Sequence, residues 1–171
     1  MKNLCLLLAC LSFAACSPPG EAEKLRAPIS HPGDDLRAEL GLTLPASDMM
    51  IIASGEAVHH TRAEWSVVAW RSADGAWTVE RAGRESGHMF PMETKIFPLK
   101  RKLLSAEEAR RLEQLIAAPA LYREAVPLSI PPIGGFESAM EIVTPKTSRL
   151  VKWGGRLTGR LGQVADIVIG R

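Results

Sequence analysis

The sequence predicts an α+β domain: an antiparallel sheet of four or five strands, in two hairpins, with two helices packed on one face. Three observations lead there. Apolar residues alternate on either side of Asp74-Gly75 and again around Pro145-Lys146, the period expected of half-buried strands meeting in hairpins. Two later stretches repeat apolar residues at helical spacing, and one of them opens on a capping-box pattern. The helices do not alternate with single strands, which argues against a doubly wound parallel sheet.

The folded domain is expected over residues 48–171. MMIIAS, from Met49 to Ser54, is a short apolar run suited to a buried strand. WSVVAWRSADGAWTVERA, from Trp65 to Ala82, reads as a hairpin closed by a two-residue type I′ turn at Asp74-Gly75, where both positions need positive φ. That turn sets Trp70 opposite Val79 and Ser72 opposite Trp77. Val68, Trp70, Trp77 and Val79 then share the buried face, while Trp65, Arg71, Thr78 and Glu80 share the other. Gly83 to Glu93, rich in glycine and polar residues, reads as a mobile loop. Lys95 to Leu104 reads as a strand that Pro98 pushes to a sheet edge. Ser105 and Glu108 form the capping box of a helix carrying Ala109, Leu112, Leu115 and Ile116, stopped by Pro119. VPLSIPPIGGF is an irregular connector. SAMEIVTPKTSRLVKW is the second hairpin, whose register stays open because a one-residue shift exchanges its faces. Leu157, Leu161, Val164, Ala165 and Val168 mark a terminal helix weakened by Gly159 and Gly162.

All three cysteines fall in the first sixteen residues, MKNLCLLLACLSFAAC. Lys2 precedes an apolar run from Leu4 to Leu11, extended by Phe13, Ala14 and Ala15. The run is too short for a bilayer span, which needs about 20 apolar residues, and suits the h-region of an export signal. Phe13-Ala14-Ala15-Cys16 resembles the lipobox of bacterial lipoproteins, with Phe13 where that pattern usually carries Leu. Cutting after Ala14, as an ordinary signal peptidase would, leaves Cys16 a free thiol; Leu7-Leu8-Ala9-Cys10 is a third candidate with too little h-region before it. The resemblance implies residues 1–15 as a signal peptide and Cys16 as the lipidated first residue of the mature chain. Residues 16–47, with Pro18, Pro19, Pro28, Pro32 and Pro45, are then a flexible tether, broken at most by a short helix at DDLRAELG capped by Asp34 and stopped by Gly41. Each buried CH₂ contributes about 0.8 kcal/mol, so the two or three acyl chains of such lipoproteins make attachment effectively permanent. Ser17, rather than Asp, after the cysteine resembles the outer-membrane sorting pattern of enterobacterial lipoproteins. The mature chain then has no thiol, hence no disulfide, thiolate metal site or cysteine nucleophile, and its core alone must hold it.

Composition narrows the function. Apolar residues make up 46% of the chain, enough for a real core. Removing residues 1–15 takes one of the 21 Lys and Arg and none of the 19 Asp and Glu, leaving +1 and no electrostatic case for nucleic acid. The charge is uneven: Ser17 to Glu64 holds four basic and eight acidic residues, while Thr144 to Arg171 holds six basic residues and only Asp166. Ordinary surface variation accounts for this; a basic end facing lipid headgroups or lipopolysaccharide phosphates is the sharper reading.

No motif names a chemistry. G-x-S-x-G, S-x-x-K, H-E-x-x-H, Walker and G-x-G-x-x-G patterns are all missing. His59, His60 and His88 are the best metal candidates, but adjacent strand residues point to opposite faces, so surface histidines near a turn are the preferred account. Ser86 and His88 with Glu85 or Glu93 lie too close together to be preorganised as a hydrolytic set. Neither catalytic residues nor a cofactor is therefore assigned. The expected ligand or partner surface consists of Trp65 and Arg71, an exposed aromatic beside a cation, together with Lys100, Arg101 and Lys102, which also serve to block edge-to-edge pairing. The expectation is an envelope lipoprotein, in the outer membrane with its domain in the periplasm, acting as a binding or interaction module. Its partner is an envelope protein, peptidoglycan or lipopolysaccharide. A hydrolase or metal-dependent enzyme acting on envelope peptides or glycans, and a glycan or anionic-lipid binder, are the alternatives.

Overall fold

The computed structural model describes residues 31–89, 91–126 and 136–170. Among them the chain runs α1 (Asp34–Glu39), β1 (Met50–Val58), β2 (Thr61–Arg71), β3 (Trp77–Gly87), β4 (Lys95–Leu103), α2 (Ala106–Ala117), a 3-10 turn (Leu121–Arg123), β5 (Phe136–Val143), β6 (Ser148–Trp153) and α3 (Gly159–Ile169). The strands form one open sheet in the order β4-β3-β2-β1-β5-β6, with every neighbouring pair antiparallel. The α+β class and antiparallel sheet are as expected, but there are six strands rather than four or five. The first arm of the first hairpin, β2, begins earlier than expected, at Thr61, and the short α1 is a third helix.

One face of the sheet carries the main core. Ile51 and Ala53 of β1, Val67 and Ala69 of β2, Trp77 and Val79 of β3, Met140 and Ile142 of β5, and Val151 and Trp153 of β6 pack under α2 and α3. The helices bring Leu112 and Ile116, and Leu161, Val164, Ala165 and Val168. The capping box is present: Glu108 N–H donates to Ser105 Oγ at 3.2 Å, and Ser105 N–H donates to the Glu108 carboxylate at 2.8 Å. The second hairpin turns at Thr144–Thr147 with Val143 opposite Ser148, which fixes the register left open by the sequence.

The first hairpin is in a different register from the expected one. Ser72 N–H donates to the Ala76 carbonyl at 2.9 Å, closing a three-residue loop with Gly75 at φ +88°. Only one left-handed residue is used, where a two-residue type I′ turn needs two. Arg71 therefore faces Trp77, and Ala69 faces Val79. The slip moves Val68 and Trp70 to the opposite face from Trp77 and Val79, and brings Trp65 onto the core side. The expected loop from Gly83 is likewise strand as far as Gly87, paired with residues 61–65. Its residues 84–87 are polar or glycine and all half-buried, so no apolar alternation marks it as strand.

The second face is covered from the N-terminal side. Residues 31–47, assigned to the tether by sequence, include α1, whose Leu36 and Arg37 are buried on the sheet. The cap position is Gly33 rather than Asp34, whose carboxylate instead accepts the His31 amide at 2.6 Å. Beneath Arg37 lies Glu80, 3% exposed in mid-strand. Arg37 Nη2 donates to it at 2.6 Å and Arg101 Nε, from β4, at 2.6 Å. Burial pushes the Glu80 carboxyl up, but the bonds and charges of Arg37 and Arg101 outweigh it and hold the pKa below its ordinary 4.5.

This arrangement sets a pH dependence. The folded state gains stability from ionised Glu80 in full above pH 4.5, the ordinary value, and loses it as the pH falls through the lowered folded value. Glu80→Gln is expected to cost about 3–5 kcal/mol near neutrality, because it strands Arg37 in the interior. Urea denaturation of both proteins should show that gap narrowing progressively as the pH is lowered below 4.5. A gap that stays constant with pH would mean that packing, not charge, is what Glu80 contributes.

Candidate functional site

Where α2 ends against the β5–β6 turn, the fold leaves a cleft of about 630 Å³. The volume lies within the range that holds small ligands, roughly 300–1,000 Å³. Its walls come from segments far apart in sequence: Met49 ahead of β1, Ile116 and Ala117 in the last turn of α2, Pro119 and Tyr122 just beyond it, and Pro145 in the β5–β6 turn. Pro119 shapes it by stopping α2, after which the 3-10 turn buries Leu121 in the core and aims Tyr122 at the opening. The other wall is held rigid by Thr144, whose Oγ1 accepts from Thr147 N–H at 3.1 Å and donates to the Thr147 carbonyl at 2.8 Å.

Polar groups stand at the rim. Arg71 Nε pairs with Glu113 at 3.1 Å, and the same carboxylate oxygen accepts from the indole nitrogen of buried Trp77 at 3.2 Å. Lys146 lies across the opening. Burial pushes the Tyr122 phenol above its ordinary pKa against the opposing effect of a hydrogen bond with Thr144, so it stays a neutral donor and acceptor well into the alkaline range. Two cations against one carboxylate give the rim a net positive charge over an apolar floor. Such a site suits a molecule with an apolar body and an anionic head.

The residues nominated from sequence do not form one surface. Arg71 is at the cleft. Trp65 is on the same face of β2 but six residues away, roughly 20 Å at strand rise. Its ring is half-buried against the core and lies over Gly55, where an added Cβ would meet Trp65 Cζ2 at 2.5 Å. It is a packing residue, with Gly55 and Gly83 opposite it on either side. Lys100, Arg101 and Lys102 are all exposed on the edge strand β4, as Pro98 implied, but alternation divides them. Arg101 sits with Glu80 on the α1 face, whereas Lys100 faces Arg81 and Lys102 faces Val79 on the helix face. Cys16 lies outside the described residues.

His59 and His60 form the connection between β1 and β2, their rings meeting edge to face at 4.1 Å. The His88 amide donates to the His60 carbonyl at 3.3 Å. No group of three His, Cys, Asp or Glu side chains converges on a metal position among the described residues. Ser86 stands in the ladder opposite Arg62, with His88 beyond the strand end. Among the described residues no helix is long and apolar enough to cross a membrane.

Sequence reasoning passed over the cleft because Met49, Tyr122 and Pro145 meet only in three dimensions. One signal was available: the chain's single tyrosine, a residue that pairs an apolar ring with a polar tip, directly follows a helix stop. No family model matches the chain, and no curated protein matches it either.

Ala117 is exposed and lines the cleft, so Ala117→Trp fills it from the rim without entering the core. The variant is expected to weaken binding of an anionic naphthalene dye by about tenfold, read by fluorescence enhancement. Its urea midpoint should match a stability change within about 0.5 kcal/mol. Wild-type dye affinity in that variant would remove the cleft as a binding site.

Proposed function

We propose that the chain is a lipid-anchored protein of the bacterial envelope whose domain is a binding module, taking an amphiphile with an anionic head into the cleft between α2 and the β5–β6 turn. The cleft itself carries this reading: an apolar floor formed by Met49, Ile116 and Pro145, with Arg71, Tyr122 and Lys146 at its mouth. Location rests on the lipobox-like Phe13-Ala14-Ala15-Cys16, with Ser17 supporting the outer membrane and a domain facing the periplasm. An amphiphile is also the ligand class most abundant beside a membrane-tethered domain. Lipopolysaccharide and phospholipid share the required chemistry, an acyl body under an acidic head.

Binding follows from desolvation at both ends of the ligand. Apolar area removed from water contributes about 25 cal/mol per Å² before the cost of immobilising the ligand. The head then replaces water around Arg71 and Lys146, and neutral Tyr122 offers it a hydrogen bond.

Intact and native mass spectrometry of the full chain from bacterial membranes tests both halves. The expected covalent mass begins at Cys16 plus acyl chains, and Cys16→Ser should lose them. The native spectrum should carry an additional non-covalent amphiphile that Ala117→Trp lacks. A soluble, unlipidated chain beginning at Ala15 would overturn the anchor. A ligand-free native spectrum in both proteins would overturn the amphiphile.

A further inference from the structure

Among the described residues, seven large hydrophobic side chains are exposed, and six of them lie between Met89 and Leu103. They are Met89, Met92, Ile96, Phe97, Leu99 and Leu103, with Ile96 62% and Leu103 68% exposed. Four of the six belong to β4, which is hydrogen-bonded to β3 on one side only and exposed along its whole length. An edge strand offers unpaired backbone donors and acceptors to another extended chain. Apolar residues concentrated along such an edge are the surface expected of strand addition.

Charge decides what is added. β4 carries Lys95, Lys100, Arg101 and Lys102 and no acidic residue. A second copy pairing through the same edge would set these four cations against four more, so self-pairing is opposed. The ladder to β3 shifts register between Arg81 and Gly83, opposite Pro98 and Leu99, leaving Lys100 to Leu103 as one regular stretch. Within it Arg101 points to the α1 face and is taken by Glu80, with Leu103 on the same side. Lys100 and Lys102 point to the helix face. Lys100 stands opposite Arg81 with no carboxylate partner among the described residues, and Lys102 reaches Glu108 only at 3.4 Å on the surface.

We infer that β4 is a docking strand, which adds to the sheet an extended segment of a partner protein whose side chains alternate acidic and apolar. Its carboxylates lie on the helix face against Lys100 and Lys102, and its apolar residues lie on the α1 face against Leu103. No residue lining the cleft belongs to β4, so this inference stands or falls apart from the amphiphile reading.

The test uses the full chain in detergent and a labelled synthetic peptide of alternating valine and glutamate, read by fluorescence anisotropy. Binding is expected, weakening between roughly 50 and 500 mM salt. It should be lost for a lysine-for-glutamate peptide, and fall roughly tenfold or more for Lys100→Glu with Lys102→Glu, whose exposed positions leave folding intact. The same peptide N-methylated at alternate residues keeps its charge but cannot complete a ladder, and it should not bind. Equal binding of the methylated peptide would reduce the edge to a charged surface and overturn strand addition. Failure of the unmethylated peptide to bind would overturn it too. So would a dimer that Leu99→Lys returns to monomer, since that assigns the edge to a second copy. Ala117→Trp should leave peptide binding unchanged.

Discussion

Glu80 is a carboxylate in the middle of a sheet, 3% exposed, and the second face of the domain is organised around keeping it ionised. A lone buried charge is very costly, so two cations must come to it. Arg37 arrives from α1, 43 residues away in sequence, and is itself 2% exposed. Arg101 arrives from β4 and keeps its outer side in solvent. One carboxylate thus ties the segment nearest the N-terminal side to the sheet and also holds the edge strand in register beyond its bulge. The Arg37 guanidinium is satisfied on one side only, by Glu80 and the Thr43 carbonyl, while Nε and Nη1 find no partner among the described residues. Apolar residues of the same shape would serve stability as well or better. What the pair adds is position: Leu36 is the one buried apolar side chain of α1, and the segment's other ties to the sheet, His31 to Glu141 and Glu39 to Arg84, stand nearer the surface.

Local signals were legible in the sequence and long-range ones were not. The capping box at Ser105 involves contacts three residues apart, and Pro98 forbids a central strand by its own chemistry, so α2 and the edge position of β4 could be read directly. The first hairpin failed at its turn. Asp74-Gly75 suits a type I′ pair, but the Ser72 hydroxyl lies within donating reach of both the Asp74 carboxylate and the Ala76 carbonyl, favouring a wider loop. A one-residue slip then misplaced Val68, Trp65 and Trp70 together, because strand faces alternate strictly. The burial of Arg37 had no local signature at all. An arginine in a short polar helix beside prolines reads as a tether until its partner is known.

The two candidate surfaces use different physics. The cleft is concave, mostly apolar, and built where three chain segments meet, which suits a small ligand able to bury most of its own surface. The β4 edge is extended, and offers backbone groups as well as side chains, so only another polypeptide satisfies it. The residues nominated from sequence divide accordingly: Arg71 belongs to the cleft, and the Lys100–Lys102 run to the edge. Trp65 belongs to neither, and serves the core by filling the space above Gly55.

An edge strand becomes a useful docking site only if ordering it is not charged against binding. Side chains and backbone that must be fixed on association each reduce affinity, so a strand already held by its scaffold starts ahead. β4 is held on both faces. Arg101 clamps it to Glu80 below, and above it Leu104 and the Ser105 cap fasten its end to α2, with the Leu104 amide donating to the Trp77 carbonyl at 2.9 Å. The clamp also sorts the charges. Because Glu80 occupies Arg101, the cations left for a partner are on the helix face, and the α1 face is left apolar around Leu103. The interaction that anchors α1 therefore also gives the opposite margin of the sheet its two-sided character, acid-seeking above and apolar below.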